Sequence, residues 1–215
     1  RAGGKEYTAR VKSQEDSGHH RSAVVEFDNP GTKDVEIVIK DVAGVQVGIL
    51  GLTPPAVKYW ERPENIVGCV FGDAMDAANT YVPIMKAAGA DVIVVAAHTG
   101  LDETYGYGRE ENFAKYLANE VPGIDVILAG HAHANVPGTL INGVLITEPN
   151  YHTRNISDIR ITVTGSGSDW TVTNKSSTTP AMGTYAEDTD IKAITDPYHA
   201  ATVTYINTPI GEATA

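Results

Sequence analysis

The sequence has few cysteines, few basic residues and no long apolar run. Cys69 is the single cysteine among 215 residues, which excludes a small scaffold held by disulfides. A membrane-spanning helix needs about 20 apolar residues, and runs such as 92–97 are far shorter. The 16 Lys and Arg face 27 Asp and Glu, for a net charge of −11. This charge argues against duplex nucleic acid and anionic membranes as partners, but not against a small anionic substrate, because a bound dication can reverse the local field.

Several catalytic motifs are also missing. No serine lies in a G-x-S-x-G elbow, and no Gly-Lys-Ser/Thr marks a phosphate loop. Cys69 has no histidine near it in the sequence, so we expect a buried apolar residue rather than a nucleophile. The first residues show no signal-peptide pattern and the sequence opens without Met, so we expect a processed or cut protein. The lone cysteine leaves the compartment open.

The pattern of apolar residues predicts an α/β fold with a parallel sheet. The first 34 residues are polar, and alternation begins at Val35. Strands and helices then follow one another as two βαβ units. The predicted elements are a strand at 35–40, a strand at 45–52, a helix opened by Asp73 and ended by Gly89, a strand at 91–97, a helix at 110–120 and a strand at 124–129. Pro83 is expected to kink the first helix or to start a new turn in it.

The second half is predicted to be antiparallel. Asn142-Gly143 is a type I′ hairpin signal between 139–141 and 144–147. A second alternating pair, 156–164 and 169–174, flanks a Gly/Ser turn. A last helix at about 188–205 is expected to be interrupted by Pro197.

Three histidines follow buried strands. His98 comes directly after the strand at 91–97, and His131 and His133 come directly after the strand at 124–129. Ligands of open parallel sheets bind beyond the carboxyl ends of the strands, and neutral imidazole is a common zinc ligand. We therefore expect the three side chains to converge on one metal-sized pocket. The alternative is that they are polar residues hydrogen-bonded at the sheet edge.

Other candidates have a weaker basis. Asp73 fits a helix N-cap better than a metal ligand. Trp60, in a proline-containing loop, is interpreted as a loop anchor rather than a stacking surface. The remaining histidines are expected to be structural or on the surface: His19 and His20 in a polar turn, His152 and His199 without a partner at metal-ligand spacing.

Three segments carry a resemblance to a known family. GILGLTPP (48–55), VPIMKAAGADVIVVAAHTG (82–100) and EVPGIDVILAGHAHANVPG (120–138) resemble the calcineurin-like metallophosphoesterases. The similarity is to the branch of exported 5′-nucleotidases and 2′,3′-cyclic-nucleotide 2′-phosphodiesterases/3′-nucleotidases. Pro54-Pro55, Trp60, Glu111-Asn112 and the closing TPIGEA point to the cyclic phosphodiesterase side. The match runs from about Val45 to Ala213.

The resemblance implies a β-sandwich flanked by helices and two divalent metals, which could be Zn, Mn, Fe or Co. It assigns His98 and His131 to one metal and His133 to the other, and it implies hydrolysis of nucleotide phosphate esters outside the cytoplasm. The family's Asp-x-His and Gly-Asn-His-Asp/Glu motifs do not occur in these 215 residues. The stretch 148–158 also lacks the Gly-rich loop that is usual there.

Three expectations follow from the resemblance. Residues 1–187 form part of a metallophosphoesterase domain, and 188–215 form a helix and the start of a linker toward a nucleotide-binding domain. The catalytic residues are expected in the missing half, so that the chain alone hydrolyses phosphate esters poorly. The alternative is a non-catalytic α/β module that binds a single metal through three histidines.

Overall fold

The computed structural model describes residues 9–16, 20–27, 35–101 and 105–211. Their contacts divide the chain into two units, Arg1–Pro180 and Ala181–Ala215. Among these described residues, the first unit has ten strands in two sheets. The strands are β1 (Ala9–Asp16), β2 (His20–Phe27), β3 (Val35–Val42), β4 (Val45–Leu52), β5 (Val92–Ala97), β6 (Val126–Leu128), β7 (Asn135–Ile141), β8 (Val144–Pro149), β9 (Asp158–Ser166) and β10 (Asp169–Thr178).

The helices connect the parallel strands. They are α1 (Val57–Trp60), α2 (Ala74–Ala87), α3 (Ala114–Glu120) and, in the second unit, α4 (Thr189–Ile206). Short 3-10 turns occupy Pro63–Asn65, Gly108–Glu110 and Met182–Thr184. Within the described residues, no helix is long and apolar enough to cross a membrane.

The main sheet has the order β1-β2-β3-β4-β5-β6-β8-β7. Strands β4, β5, β6 and β8 run parallel to one another, whereas the remaining neighbours in the sheet are antiparallel. The predicted parallel core is therefore confirmed, and β8 extends it by one strand. The smaller sheet is the β9–β10 hairpin, which contacts β7 and β8 through β10. This α/β architecture agrees with the predicted fold class.

Helix α2 begins where the sequence predicts it. The Asp73 carboxylate accepts hydrogen bonds from the backbone N–H groups of Met75 and Asp76, as an N-cap does. The helix buries one face against the sheet, and Gly48 of β4 permits the close approach. A Cβ at this glycine would lie 3.2 Å from Met85 Sδ. Helix α2 thus packs on β4 and β5.

Several predicted element boundaries differ from the structure. Helix α4 runs through Pro197 without the predicted interruption, and α2 also continues through Pro83, where a kink or a new turn was predicted. A proline removes one backbone hydrogen bond, and the neighbouring turns of these helices remain intact around it. The helix predicted at 110–120 begins at Ala114, after a separate 3-10 turn, and the strand predicted at 124–129 is reduced to β6.

The polar first 34 residues also hold structure. Strands β1 and β2 pair antiparallel there, so His20 begins a strand and does not lie in a turn. His19 lies outside the described residues. The Asn142-Gly143 turn is confirmed, with φ of 48° and 78°, which is the left-handed geometry that a type I′ turn requires.

Candidate metal centre

Two parallel strand ends bring His98 and His131 to one edge of the sheet. Strand β5 ends at Ala97 and β6 ends at Leu128. The His98 N–H donates to the Leu52 carbonyl at 3.0 Å, and the Gly130 N–H donates to the Thr99 carbonyl at 3.1 Å. These backbone bonds tie the two loops to neighbouring strands. The imidazoles therefore meet through sheet topology, although they are 33 residues apart.

The distance between their nitrogens suits a shared metal ion. His131 Nδ1 lies 3.2 Å from His98 Nε2. Zinc–nitrogen bonds of about 2.1 Å separate two ligands by about 3.4 Å in a tetrahedral centre, and by about 3.0 Å in an octahedral one. The observed distance falls between these values. Partial burial, followed by the charges of His131 and His133, lowers the pKa of His98, so that this ring is neutral near pH 7, as a ligand must be.

Glu111 completes the surroundings of His131. Its Oε1 lies 2.7 Å from His131 Nε2, and its Oε2 accepts a hydrogen bond from the Tyr107 N–H at 2.6 Å. Burial alone would raise the pKa of Glu111, but the bonds from His131 and Tyr107 outweigh it and hold the pKa below its usual value. The group is an ionised carboxylate that can only accept. From the sequence, Glu111 was part of the family resemblance but had no predicted role.

Thr99 links the His98 loop to the Glu111 loop. Its side chain is fully buried, and its hydroxyl accepts from the Phe113 N–H at 2.7 Å and donates to the Glu111 carbonyl at 3.0 Å. The residue directly after His98 therefore holds the segment that carries Glu111. These hydrogen bonds connect the loop that carries His98 to the loop that carries Glu111.

His133 lies among a second set of rings. It stacks on Tyr151 with 5.0 Å between ring centroids, and His152 is edge-on to it at 6.1 Å. The Arg154 guanidinium lies over the Tyr151 ring, 4.4 Å from its centroid. Across the part of the chain that the structure describes, no three His, Cys, Asp or Glu side chains are arranged to hold a metal ion. The structure thus brings His98 and His131 together, and a ligand role for His133 stays a prediction.

The loops at these strand ends use left-handed backbone without glycine. His131 and His133 have φ of 76° and 56°, and His152 has φ of 52°. Non-glycine residues adopt this conformation only where the surroundings enforce it. One contact that stabilises this loop comes from the buried Glu148, whose Oε1 accepts a hydrogen bond from the Ala134 N–H, next to His133, at 3.1 Å. The stretch 148–158 therefore builds its turn without the Gly-rich loop that the resemblance predicts.

The loop after β4 contributes an aromatic surface. Trp60 stacks on His131, with 5.0 Å between centroids and 18° between planes. Tyr107 lies 6.4 Å from the Trp60 ring and stacks on Tyr59 at 4.6 Å. Trp60 is 38% exposed, so this ring is a stacking surface on the candidate site in addition to any anchoring role.

The remaining candidates have other positions. Asp73 is the N-cap described above. Cys69 is exposed, so the expectation of a buried apolar residue was wrong; it lies in an irregular stretch whose neighbours Val67 and Val70 are also exposed. His199 belongs to α4 in the second unit.

Comparison with solved structures identifies the fold. The calcineurin-like phosphoesterase YfkN from Bacillus subtilis matches with a TM-score of 0.68 and 23% identity, over 93% of this chain and 62% of that one. A 5′-nucleotidase precursor from Thermus thermophilus matches with a TM-score of 0.63 and 23% identity, over 82% of this chain and 36% of that one. The chain therefore has the calcineurin-like phosphoesterase fold.

Sequence comparison gives the family. No protein-family model matches the chain. The 2′,3′-cyclic-nucleotide 2′-phosphodiesterase/3′-nucleotidase of Haemophilus influenzae is 35% identical over 192 residues, which cover 79% of this chain and 29% of that protein. The Salmonella typhimurium protein of the same name is 30% identical over 203 residues, covering 84% and 31%. The chain belongs with these homologues to the calcineurin-like metallophosphoesterases, and it spans about a third of their length.

Proposed function

We propose that the chain contributes half of the metal site of a phosphoester hydrolase that acts on nucleotides. The observation that carries the proposal is the 3.2 Å separation of His98 Nε2 and His131 Nδ1 at the carboxyl edge of a parallel sheet. The homologues named above are cyclic-nucleotide phosphodiesterases and nucleotidases, which supports a nucleotide as the substrate class.

His98 and His131 would hold one divalent ion, and His133 would hold a second. Such ions supply charge stabilisation and a lowered pKa of bound water during displacement at phosphorus. The protein's own contribution in this chain is to keep two imidazole lone pairs at ligand spacing and to hold the His131 ring between Trp60 and Glu111. Nitrogen ligands alone do not select among Zn, Mn, Fe and Co.

The proposal extends to organisation and location. We assign residues 1–187 to part of a metallophosphoesterase domain and 188–215 to a helix and linker toward a nucleotide-binding domain. We also assign the protein to the exported branch of the family. The partner that these assignments imply is a small nucleotide or phosphate ester.

A chimera tests the function. The matching 192 residues of the Haemophilus influenzae relative are replaced by this chain, and hydrolysis of 2′,3′-cyclic AMP and bis-p-nitrophenyl phosphate is measured with added manganese. We expect turnover in the chimera, loss of turnover with His131→Ala, and unchanged turnover with Glu110→Gln. A chimera that folds and binds metal without hydrolysing either substrate would contradict the proposal.

A second function has a specific observation in its favour. His98 and His131 are at the spacing of ligands to one ion, whereas His133 is grouped with Tyr151. A non-catalytic module that holds a single metal would look the same at this edge. Metal stoichiometry in the folded chimera separates the two functions, because two ions are expected for the hydrolase and one for the module.

A further inference from the structure

Glu111 is buried beside His131, and its effect on the protonation of that ring goes beyond the contact described above. Its side chain is only 9% exposed, which is unusual for a glutamate. Burying a carboxylate lowers the stability of the folded protein unless hydrogen bonds compensate for the lost contact with water. Its two oxygens have two defined partners, the His131 ring at 2.7 Å and the Tyr107 N–H at 2.6 Å.

The backbone near Glu111 is built to admit the carboxylate. Gly106 has φ of +65°, and a Cβ at this position would overlap the Glu111 carboxylate. The Tyr107 N–H that follows is aimed at Oε2. Because a backbone N–H can only donate, Oε2 must be the acceptor of this hydrogen bond, and Oε1 faces the imidazole.

These contacts determine which nitrogen of His131 carries the proton. With Oε2 occupied by the Tyr107 N–H, Oε1 is positioned to accept a hydrogen bond from His131 Nε2 at 2.7 Å, which assigns the ring proton to Nε2. The lone pair is then on Nδ1, the atom that faces His98 at 3.2 Å. We propose that Glu111 is a positioning residue that fixes the His131 tautomer and so presents Nδ1 to a divalent cation shared with His98. This inference rests on the proposed metal site.

The isosteric variant Glu111→Gln is expected to reverse the tautomer. The glutamine side chain has one acceptor oxygen, which would accept the hydrogen bond from the Tyr107 N–H. The NH₂ group would then face His131 Nε2 and could only donate to it, so the ring proton would move to Nδ1. A protonated Nδ1 cannot bind a metal. Loss of a carboxylate behind a metal-bound histidine typically weakens metal binding by about 10- to 100-fold.

The test combines two measurements on the 215-residue protein labelled with ¹⁵N-histidine. Long-range ¹H–¹⁵N spectra of the metal-free protein show which His131 nitrogen is protonated, with His131→Ala used for assignment. Calorimetric titration with zinc gives the dissociation constant. Glu110→Gln is the matched control, because Glu110 is the adjacent glutamate in sequence but pairs with Lys58 at 2.9 Å.

We expect protonated Nε2 in the wild type and in Glu110→Gln, protonated Nδ1 in Glu111→Gln, and a zinc dissociation constant about 10- to 100-fold higher in Glu111→Gln alone. A wild-type His131 protonated on Nδ1 would overturn the inference, even if the variant failed to fold. So would a Glu111→Gln protein whose zinc affinity stays within about twofold of wild type, since the expected change is about tenfold or more.

Both readouts are independent of substrate. A protein with the expected tautomer and zinc affinity but an inactive chimera would refute the proposed function and leave this inference standing. An active chimera, together with a Glu111→Gln protein in which neither the tautomer nor the zinc affinity changes, would support the proposed function and refute this inference.

Discussion

His131 Nδ1 lies 3.2 Å from His98 Nε2, although 33 residues separate the two histidines in sequence. The contact exists because β5 and β6 are adjacent and parallel, so that the loops after both strands emerge at the same edge. The His131 ring contacts the Glu111 carboxylate and stacks on the Trp60 indole. The His98 ring has a lowered pKa, which keeps it neutral. The sheet topology therefore holds two imidazoles at ligand spacing.

Replacing His131 by Ala should remove metal binding without unfolding the protein. The ring is partly exposed and fills no core space, but its loss leaves the buried Glu111 Oε1 without its partner. The free energy of unfolding should therefore fall by about 1–3 kcal/mol, which does not unfold the protein. Zinc content after dialysis and the melting temperature are measured on the same sample. His199→Ala, in α4, is the control and should leave both values unchanged. A metal content equal to wild type together with a sharply lowered melting temperature would make His131 structural.

Trp60 should report metal binding by its fluorescence. Its ring is stacked on His131, so a cobalt ion bound there would quench the indole at short range. We expect quenching that saturates in the wild type and in Trp170→Phe, and that disappears in Trp60→Phe. Trp170 lies on β10 and bonds to the Gly44 and Gly167 carbonyls, away from the candidate site. Quenching that survives in Trp60→Phe would place the metal elsewhere.

Thr99→Val should destabilise the site-bearing loops. The substitution keeps the shape of the side chain but leaves the buried Phe113 N–H without its acceptor and the Glu111 carbonyl without the Thr99 donor. An unpaired buried group costs about 1–3 kcal/mol, which corresponds to a lowering of the melting temperature by about 2–4 °C per kcal/mol for a chain of this size. Thermal unfolding checks this result. Thr99→Ser retains the hydroxyl, so its melting temperature should fall much less than that of Thr99→Val. An equal fall in both variants would argue against the hydrogen bonds as the cause.

Glu148 should make stability fall as the pH rises. Burial raises the pKa of Glu148, although the Ala134 N–H opposes the shift. The favourable contribution of the neutral carboxyl is fully present below the unfolded pKa of about 4.3. It is lost as the pH increases through the raised folded-state value. Glu148→Gln keeps an acceptor for Ala134 and does not titrate.

The melting temperature of Glu148→Gln relative to wild type should therefore rise from pH 4 to pH 7. The measurement is made with EDTA present so that bound metal does not contribute. Exposed Glu64→Gln serves as the control and should show no such trend. A difference that stays constant or shrinks with pH would mean that Glu148 is not destabilised by its burial.

The parts of the fold that sequence predicts well are those governed by local rules. The apolar strands β4 and β5, the N-cap at Asp73 and the type I′ turn at Asn142-Gly143 all follow from periodicity or from the conformational preference of single residues. Pro197 shows where a local rule is overridden, because helix formation on both sides outweighs one lost hydrogen bond. Cys69 shows a different error, since this residue was expected to be buried and is exposed.

The candidate site was predictable only in part. Strand ends in a parallel sheet bring His98 and His131 together, and this follows from topology. The Glu111 contact depends on the course of a loop stabilised by Thr99 and by the Tyr107 N–H, and no spacing rule describes such a path. The ring cluster of His133, Tyr151 and His152 likewise depends on left-handed residues that the sequence does not mark with glycine.

In the proposed site, His98 and His131 bind one metal ion together. Anomalous diffraction at the zinc edge, from crystals of the zinc-loaded protein, locates that ion. We expect an anomalous peak about 2.1 Å from both His98 Nε2 and His131 Nδ1. A map with no peak between these two nitrogens, or with zinc bound only at other histidines such as His152 or His199, would contradict it.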